Sequence, residues 1–319
     1  NWELRQDFTR IMGNHSLSFG GALNTIAYNQ LITSSSRGRV SYSGRYTSET
    51  PGTLNSQVGG WGDFLLGAPE RLEMDVGSTP FYARRKAFHL YFQDDWKVTP
   101  NLTLNIGLRN EITMPWKERH RGAAFFDPTC ACLTYMTGAP LPEGFDPPYP
   151  YRTDGPTGFG ETHFKNLAPR IGFAWSPWGK GKTVLRGGYG IFYDSAIGGA
   201  VGVMGNAPPF RGSLRNDADL NAPNLRAPLD YPDFRFIKPG QTQPFGLDPT
   251  WFPDPYVQQW NLTVEQLLPW EILASVGYVG STGIHLLDNR WPNIAEPGPG
   301  DYRERIPYPA FGAQVQLIT

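Results

Sequence analysis

The sequence has no apolar run approaching the ~18 residues a transmembrane helix requires, and its mean hydropathy is −0.40. A helical membrane span is therefore excluded. A membrane β-barrel is not, because only alternate residues of its strands face lipid. Charge is also scarce: 18% of residues are Asp, Glu, Lys or Arg, and 28 basic against 29 acidic side chains leave a net charge of −1. That balance gives no reason to expect a nucleic acid partner. Two cysteines, Cys130 and Cys132, are too few for a disulfide scaffold and have no companions at zinc-ligand spacing. They read as either a local disulfide or two free thiols in a loop. Residue 1 is Asn, with no basic start followed by an apolar stretch, so the chain reads as an excised piece without a signal peptide.

Glycine and proline are abundant instead, 37 and 30 residues, roughly a fifth of the chain against about 12% in average usage. Few long helices survive such a load. The uncharged stretch Ser195 to Phe210 is the best helical candidate, but its glycines and prolines make it a loop.

Alternation of period two carries the fold. Leu102, Leu104, Ile106, Leu108 and Ile112 alternate with Thr103, Asn105, Gly107, Arg109 and Glu111, which predicts a strand. Phe88, Leu90, Phe92 and Trp96 alternate likewise with His89, Tyr91, Gln93 and Asp95, and Val98-Thr99-Pro100-Asn101 joins the two as a tight turn. A second hairpin runs from Ile171, Phe173 and Trp175 through Gly179 to Lys182 into Leu185, Tyr189, Ile191 and Tyr193. A third links Trp260, Leu262 and Val264 through Pro269 to Glu271 with Ile272, Ala274, Val276 and Tyr278. A fainter one joins Trp2, Leu4 and Phe8 through Gly13 to His15 with Leu17, Phe19 and Leu23. The chain thus reads as eight strands in four hairpins.

Between hairpins lie long connections, 30–83, 114–165 and 195–255. Strict alternation of tight turns with long connections is the asymmetry of a transmembrane β-barrel, with short periplasmic turns and long extracellular loops. Trp96, Trp175 and Trp270 sit beside short turns. By parity each is expected to face lipid at the periplasmic interface, as one girdle of aromatic residues. The opposite faces hold Asn105, Arg109, Arg170 and Arg186 as lumen-facing candidates for ligand contact, together with Glu111, Asn261 and Glu265. The competing architecture is a soluble, secreted β-sandwich or propeller that binds carbohydrate through aromatic-rich loops.

These segments resemble the barrel region of TonB-dependent outer-membrane receptors, in particular the Oar-like group. The resemblance rests on Tyr91-Phe92-Gln93-Asp94-Asp95-Trp96 followed by Leu102-Thr103-Leu104-Asn105-Ile106-Gly107-Leu108-Arg109. Further matches are Asp63-Phe64-Leu65-Leu66-Gly67, Ala168-Pro169-Arg170-Ile171-Gly172-Phe173-Ala174-Trp175, Leu185 to Asp194, and Val276-Gly277-Tyr278-Val279-Gly280-Ser281. It implies an all-β fold in the bacterial outer membrane: a segment of a larger antiparallel barrel of about 22 strands around an N-terminal plug. It further implies uptake of a large ligand, an oligosaccharide, peptide or metal chelate, energised by an inner-membrane complex through the plug. Nothing in 1–319 looks like that plug or the coupling segment, so the chain is expected to be part of one barrel domain without them.

No catalytic, metal or cofactor site is expected. Gly181-Lys182-Thr183 imitates the end of a phosphate-binding loop, but the earlier glycine is Ser176 and a strand follows. His15, His89, His120, His163 and His285 lack metal-ligand spacing. Asp94 and Asp95 point to opposite faces of one strand and cannot form a catalytic pair. The glycosylation-like triplets at Asn14, Asn101 and Asn261 read as chance matches. Gly187, Gly188 and Gly190 are expected to mark a bend or a close approach of another backbone.

Overall fold

The computed structural model describes residues 1–31, 35–48, 59–77, 80–178, 181–194, 202–205, 207–219, 222–233, 237–247, 253–312 and 315–318. Eight long strands dominate: β1 (Trp2–Met12), β2 (His15–Gln30), β3 (Phe81–Thr99), β4 (Leu102–Thr113), β5 (Leu167–Trp175), β6 (Thr183–Tyr193), β7 (Tyr256–Leu267) and β8 (Leu273–Ile284). Each pairs antiparallel with its successor, giving the order β1-β2-β3-β4-β5-β6-β7-β8. The four hairpins foreseen from alternation are therefore present. The fainter first hairpin extends well past Leu23, to Gln30.

Cross-strand register aligns the alternation of every strand. The apolar positions Phe19, Phe92 and Leu108 are neighbours on one face, as are Leu104, Phe173 and Gly187 further along. The row that starts beside the first turn, at Met12 and His15, reaches Leu262 and Tyr278 on the last hairpin, well short of the Leu267 and Leu273 pair at its turn. That stagger is the shear of tilted barrel strands.

The apolar face is uncovered: Ile106 is 43% exposed, Leu108 47% and Ile171 56%. Among the described residues no second sheet packs on it, so the soluble sandwich, which buries such a face, does not describe this chain. An apolar surface running across eight strands far exceeds the few hundred Å² that soluble monomers expose. Large side chains lie over the glycines on this face. The Phe173 ring occupies the space beside Gly187, and the Trp260 ring that beside Gly280. On the other face Phe192 covers Gly190. At Gly187 and Gly190 the expected close backbone approach is thus corrected, since rings fill the gap; at Gly188 a Cβ would meet Asn261 Nδ2 at 3.4 Å and the Ile171 carbonyl oxygen at 3.6 Å.

Gly13 turns the first hairpin with φ +58°, a left-handed geometry that costs glycine nothing. Residues 179 and 180 of the second expected turn lie outside the described residues. Trp96 and Trp175 keep the apolar parity, and Trp96 stacks on His15 at 5.1 Å between ring centroids. His15 Nδ1 also lies 2.7 Å from Asp94 Oδ2, on the face opposite Asp95. Trp270 departs from the expectation: it stands in a 3₁₀ turn, Pro269–Glu271, with φ 63° and 88% exposure. Strand parity does not govern a residue that has left the strand.

The long connections depart further, because they fold. Ala124–Asp127, Cys132–Met136 and Tyr151–Gly155 form one three-stranded sheet. Arg39–Ser41, Arg71–Val76 and Gly212–Asp217 form a second, and Phe245–Leu247, Gln316–Ile318 and Asn289–Arg290 a third. Cys130 and Cys132 are disulfide-bonded at the turn of the first. Of the loop foreseen over Ser195 to Phe210, 195–201 and 206 lie outside the described residues, and Val203–Gly205 is a single 3₁₀ turn.

These pieces enclose two cores. One gathers Phe81, Ala83, Trp116, Met136, Phe159, Met204 and Ile318, with Ile26 and Tyr28 against it. The other gathers Phe126, Leu133, Tyr135, Tyr149, Phe210, Phe311 and Val315. Burial pushes the Tyr149 phenol up to about 12 and that of Tyr135 higher still, so both hydroxyls remain protonated partners at 3.1 Å. The resulting cap sits on the polar face of the sheet. Along β3, Phe81, Ala83, Arg85, Ala87 and His89 are buried, while the residues between them are not.

At the junction of cap and sheet, buried Asp254 ties four segments together. Its Oδ2 accepts from Thr113 Oγ1 at 2.9 Å and Asn166 Nδ2 at 2.5 Å and lies 2.7 Å from His163 Nδ1. Arg85 of β3 is 4.0 Å from its Oδ1.

Candidate functional site

Below the cap, the polar face carries most of the charged side chains of the strands. Residues two apart on a strand share a face, so an arginine followed two positions later by an acid pairs along its own strand. Arg5 Nε is 2.6 Å from Asp7 Oδ2, and Arg109 Nε is 2.8 Å from Glu111 Oε1. Across strands, Asn105 Nδ2 donates to Asp95 Oδ1 at 2.6 Å, and Arg186 Nε lies 3.5 Å from Glu265 Oε2. All four residues named from sequence therefore stand on the polar face, but three of them spend their polar groups on wall partners. Arg170 differs: its guanidinium lies 4.7 Å from the Phe192 ring centroid.

A pocket of about 330 Å³ opens on this face, lined by Arg5, Ser18, Tyr91, Gln93, Gly107, Arg109 and Arg170. It brings Arg109 and Arg170 together and leaves Asn105 and Arg186 outside. Arg5, Tyr91 and Gln93 were not singled out as candidates from sequence, although the parity that places Tyr91 and Gln93 opposite Phe92 was already visible. Among the described residues, no group of three or more His, Cys, Asp or Glu is set to hold a metal ion.

The pocket wall depends on one small residue. Tyr91 donates its hydroxyl to Asp7 Oδ1 at 2.6 Å, reaching across β2 at Gly20, which stands between them in register. A Cβ at Gly20 would collide with the Gln6 carbonyl oxygen and come to 2.9 Å from Tyr91 Cε1. Gly20→Ala should therefore lower stability by about 1–3 kcal/mol, the usual range for overpacking, as read by urea unfolding of the detergent-folded protein. Gly107→Ala, whose Cβ would meet nothing nearer than 3.4 Å, is the control expected to change little; equal losses in both would discount the contact.

The opposite face also bears a groove, of about 740 Å³, where Gly21 leaves a gap among Phe8, Phe19, Leu90 and Phe92. Its lining suits acyl chains.

No curated protein sequence matches the chain. Among solved structures, the outer membrane transporter YddB from Escherichia coli is similar at 10% identity and a TM-score of 0.43, over 99% of this chain and 27% of that one. The chain thus spans about a quarter of that transporter's length. The profile of the outer membrane beta barrel domain family matches residues 1–319, the whole sequence. With its apolar face toward lipid and its polar face toward water, this chain belongs to the outer membrane beta-barrel domain family and resides in the outer membrane.

Proposed function

We propose that the chain forms part of the wall of a TonB-dependent receptor of the Oar-like group, which takes up a large ligand across the outer membrane without transforming it. The observation that carries this reading is a two-faced meander: a bare apolar face, a polar face capped at one end by folded connections, and tight turns at the other. Among the described residues, the edges β1 and β8 have one neighbour each. Hydrocarbon does not tolerate unpaired strand edges, which supports a larger barrel whose further strands and plug lie outside these 319 residues. The folded connections face the exterior and the tight turns the periplasm, where the plug would meet an inner-membrane energy-coupling complex. Oligosaccharides, peptides and metal chelates are the ligand classes to be compared.

Orientation is tested by single cysteines in full-length protein lacking Cys130 and Cys132. Exposed cap positions Ser36 and Asp154 should label in intact cells with an impermeant reagent, and Asn14 and Lys182 only after permeabilisation. The reverse pattern inverts the proposed topology. Energy coupling is tested by uptake of labelled members of the three classes. Uptake of one class should stop when the inner-membrane proton gradient is dissipated; uptake that persists would remove the TonB-dependent part of the reading.

A further inference from the structure

Every other arginine named on the polar wall has a carboxylate: Arg5 has Asp7, Arg109 has Glu111 and Arg186 has Glu265. Among the described residues, Arg170 has none within 4 Å, only the Phe192 ring beneath its guanidinium. Its cross-strand neighbours cannot supply a partner, because they are Gly107 on β4 and Gly190 on β6. Beyond these two glycines the row continues to Gln93 and Gln259, neutral amides on either side. The pocket containing Arg170 is lined by three guanidiniums and no carboxylate; Asp7 and Glu111 lie just outside its lining.

We propose that Arg170 is the docking point for an oxyanion, a carboxylate or phosphate carried by a ligand in the lumen, held in the pocket between Gln93, Arg109 and Arg5. The proposal rests on reading the polar face as the barrel lumen. The Phe192 ring, its centroid 4.7 Å from the guanidinium carbon, packs against Arg170 and restrains its rotation. The N–H donors lie in the guanidinium plane, and their fork matches a carboxylate or phosphate edge in a bidentate, charge-assisted contact. Gly190 leaves room for this arrangement, since a Cβ there would come to 3.0 Å from the Phe192 ring and 3.6 Å from Arg170 Cγ. Tyr91 and Ser18 line the same pocket, and their hydroxyl oxygens, already engaged with Asp7 and Thr9, keep lone pairs that can accept from hydroxyl groups around the ligand's anionic one.

The test uses the full-length receptor in detergent, with citrate and inorganic phosphate as separate probes read by isothermal titration calorimetry. Wild type is expected to bind at least one of them saturably. Arg170→Gln should weaken that binding at least tenfold, Arg170→Lys less, and Arg10→Gln, on the apolar face, not at all. Binding of citrate alone assigns a carboxylate, and of phosphate alone a phosphate ester; either supports the proposal when Arg170→Gln abolishes it. No binding to wild type, as when another part of the receptor already supplies a carboxylate to Arg170, or binding indifferent to Arg170→Gln, overturns it. An Arg170→Cys variant in proteoliposomes separates this from failure of the lumen reading. Reaction with a charged thiol reagent keeps Arg170 in water even if the anion site fails, whereas protection by lipid removes the lumen itself.

Discussion

Ile106→Arg should largely abolish assembly of the folded barrel, while Asn105→Arg, one residue away, should be tolerated. Ile106 lies on the bare apolar face, in register with Asp94 and Ile171, and Asn105 lies on the polar face beside Asp95. An arginine facing lipid near the bilayer midplane costs about 2–4 kcal/mol, and one in a wet lumen far less. The measure is the heat-modifiable folded fraction in outer membranes and the urea midpoint of detergent-folded protein. Parity alone separates the two variants, since a shift of one residue exchanges faces. Equal losses would mean that both faces of β4 are packed against protein, and the membrane-wall reading of this strand would fall.

Asp254→Ala should loosen the cap without unfolding the wall. The carboxylate receives Thr113, Asn166 and His163 and stands near Arg85, all at the buried junction. Removing one partner of a buried ionic cluster costs about 3–5 kcal/mol, because the remaining polar groups stay desolvated. Hydrogen exchange in 116–136 and 207–217 should rise sharply while β4 to β7 keep their protection. Asp254→Asn, which retains an acceptor oxygen, should lie between wild type and the alanine variant. If exchange in the cap were unchanged by the alanine variant, Asp254 would not be what holds cap to wall.

The wall was legible in the sequence because its signal is local. Alternation over Leu102 to Ile112 fixes both the strand and its two faces, and the tight turns fix which strand follows which. The pairings of Arg5 with Asp7 and Arg109 with Glu111 were not read there, because the same parity also allows cross-strand partners. The cap was not legible either. Its strands are two to six residues long, and several pair with segments far away in the chain: Arg71–Val76 with Gly212–Asp217, and Phe245–Leu247 in parallel with Gln316–Ile318. Strands that short show too few alternations to be told from loop. Trp270 was misplaced because a positive φ in the turn takes it off the strand's parity. The pocket required three-dimensional knowledge of another kind, since Arg5, Tyr91 and Arg170 meet only through the register of four intervening pairings.

The shared cores of the cap also impose an order of events on the making of this protein. Phe126 packs against Phe311, and Phe81 belongs to the same cluster as Met204 and Ile318. Contacts between positions so distant form slowly, because the loop between them must be closed before any contact rewards it. Neither core is complete until 311–318 is available, after all eight strands. The connections are therefore expected to stay open chain until the last strand has been made. Only afterwards can they condense into a plate over the polar face, closing over a wall that needs none of their contacts to pair.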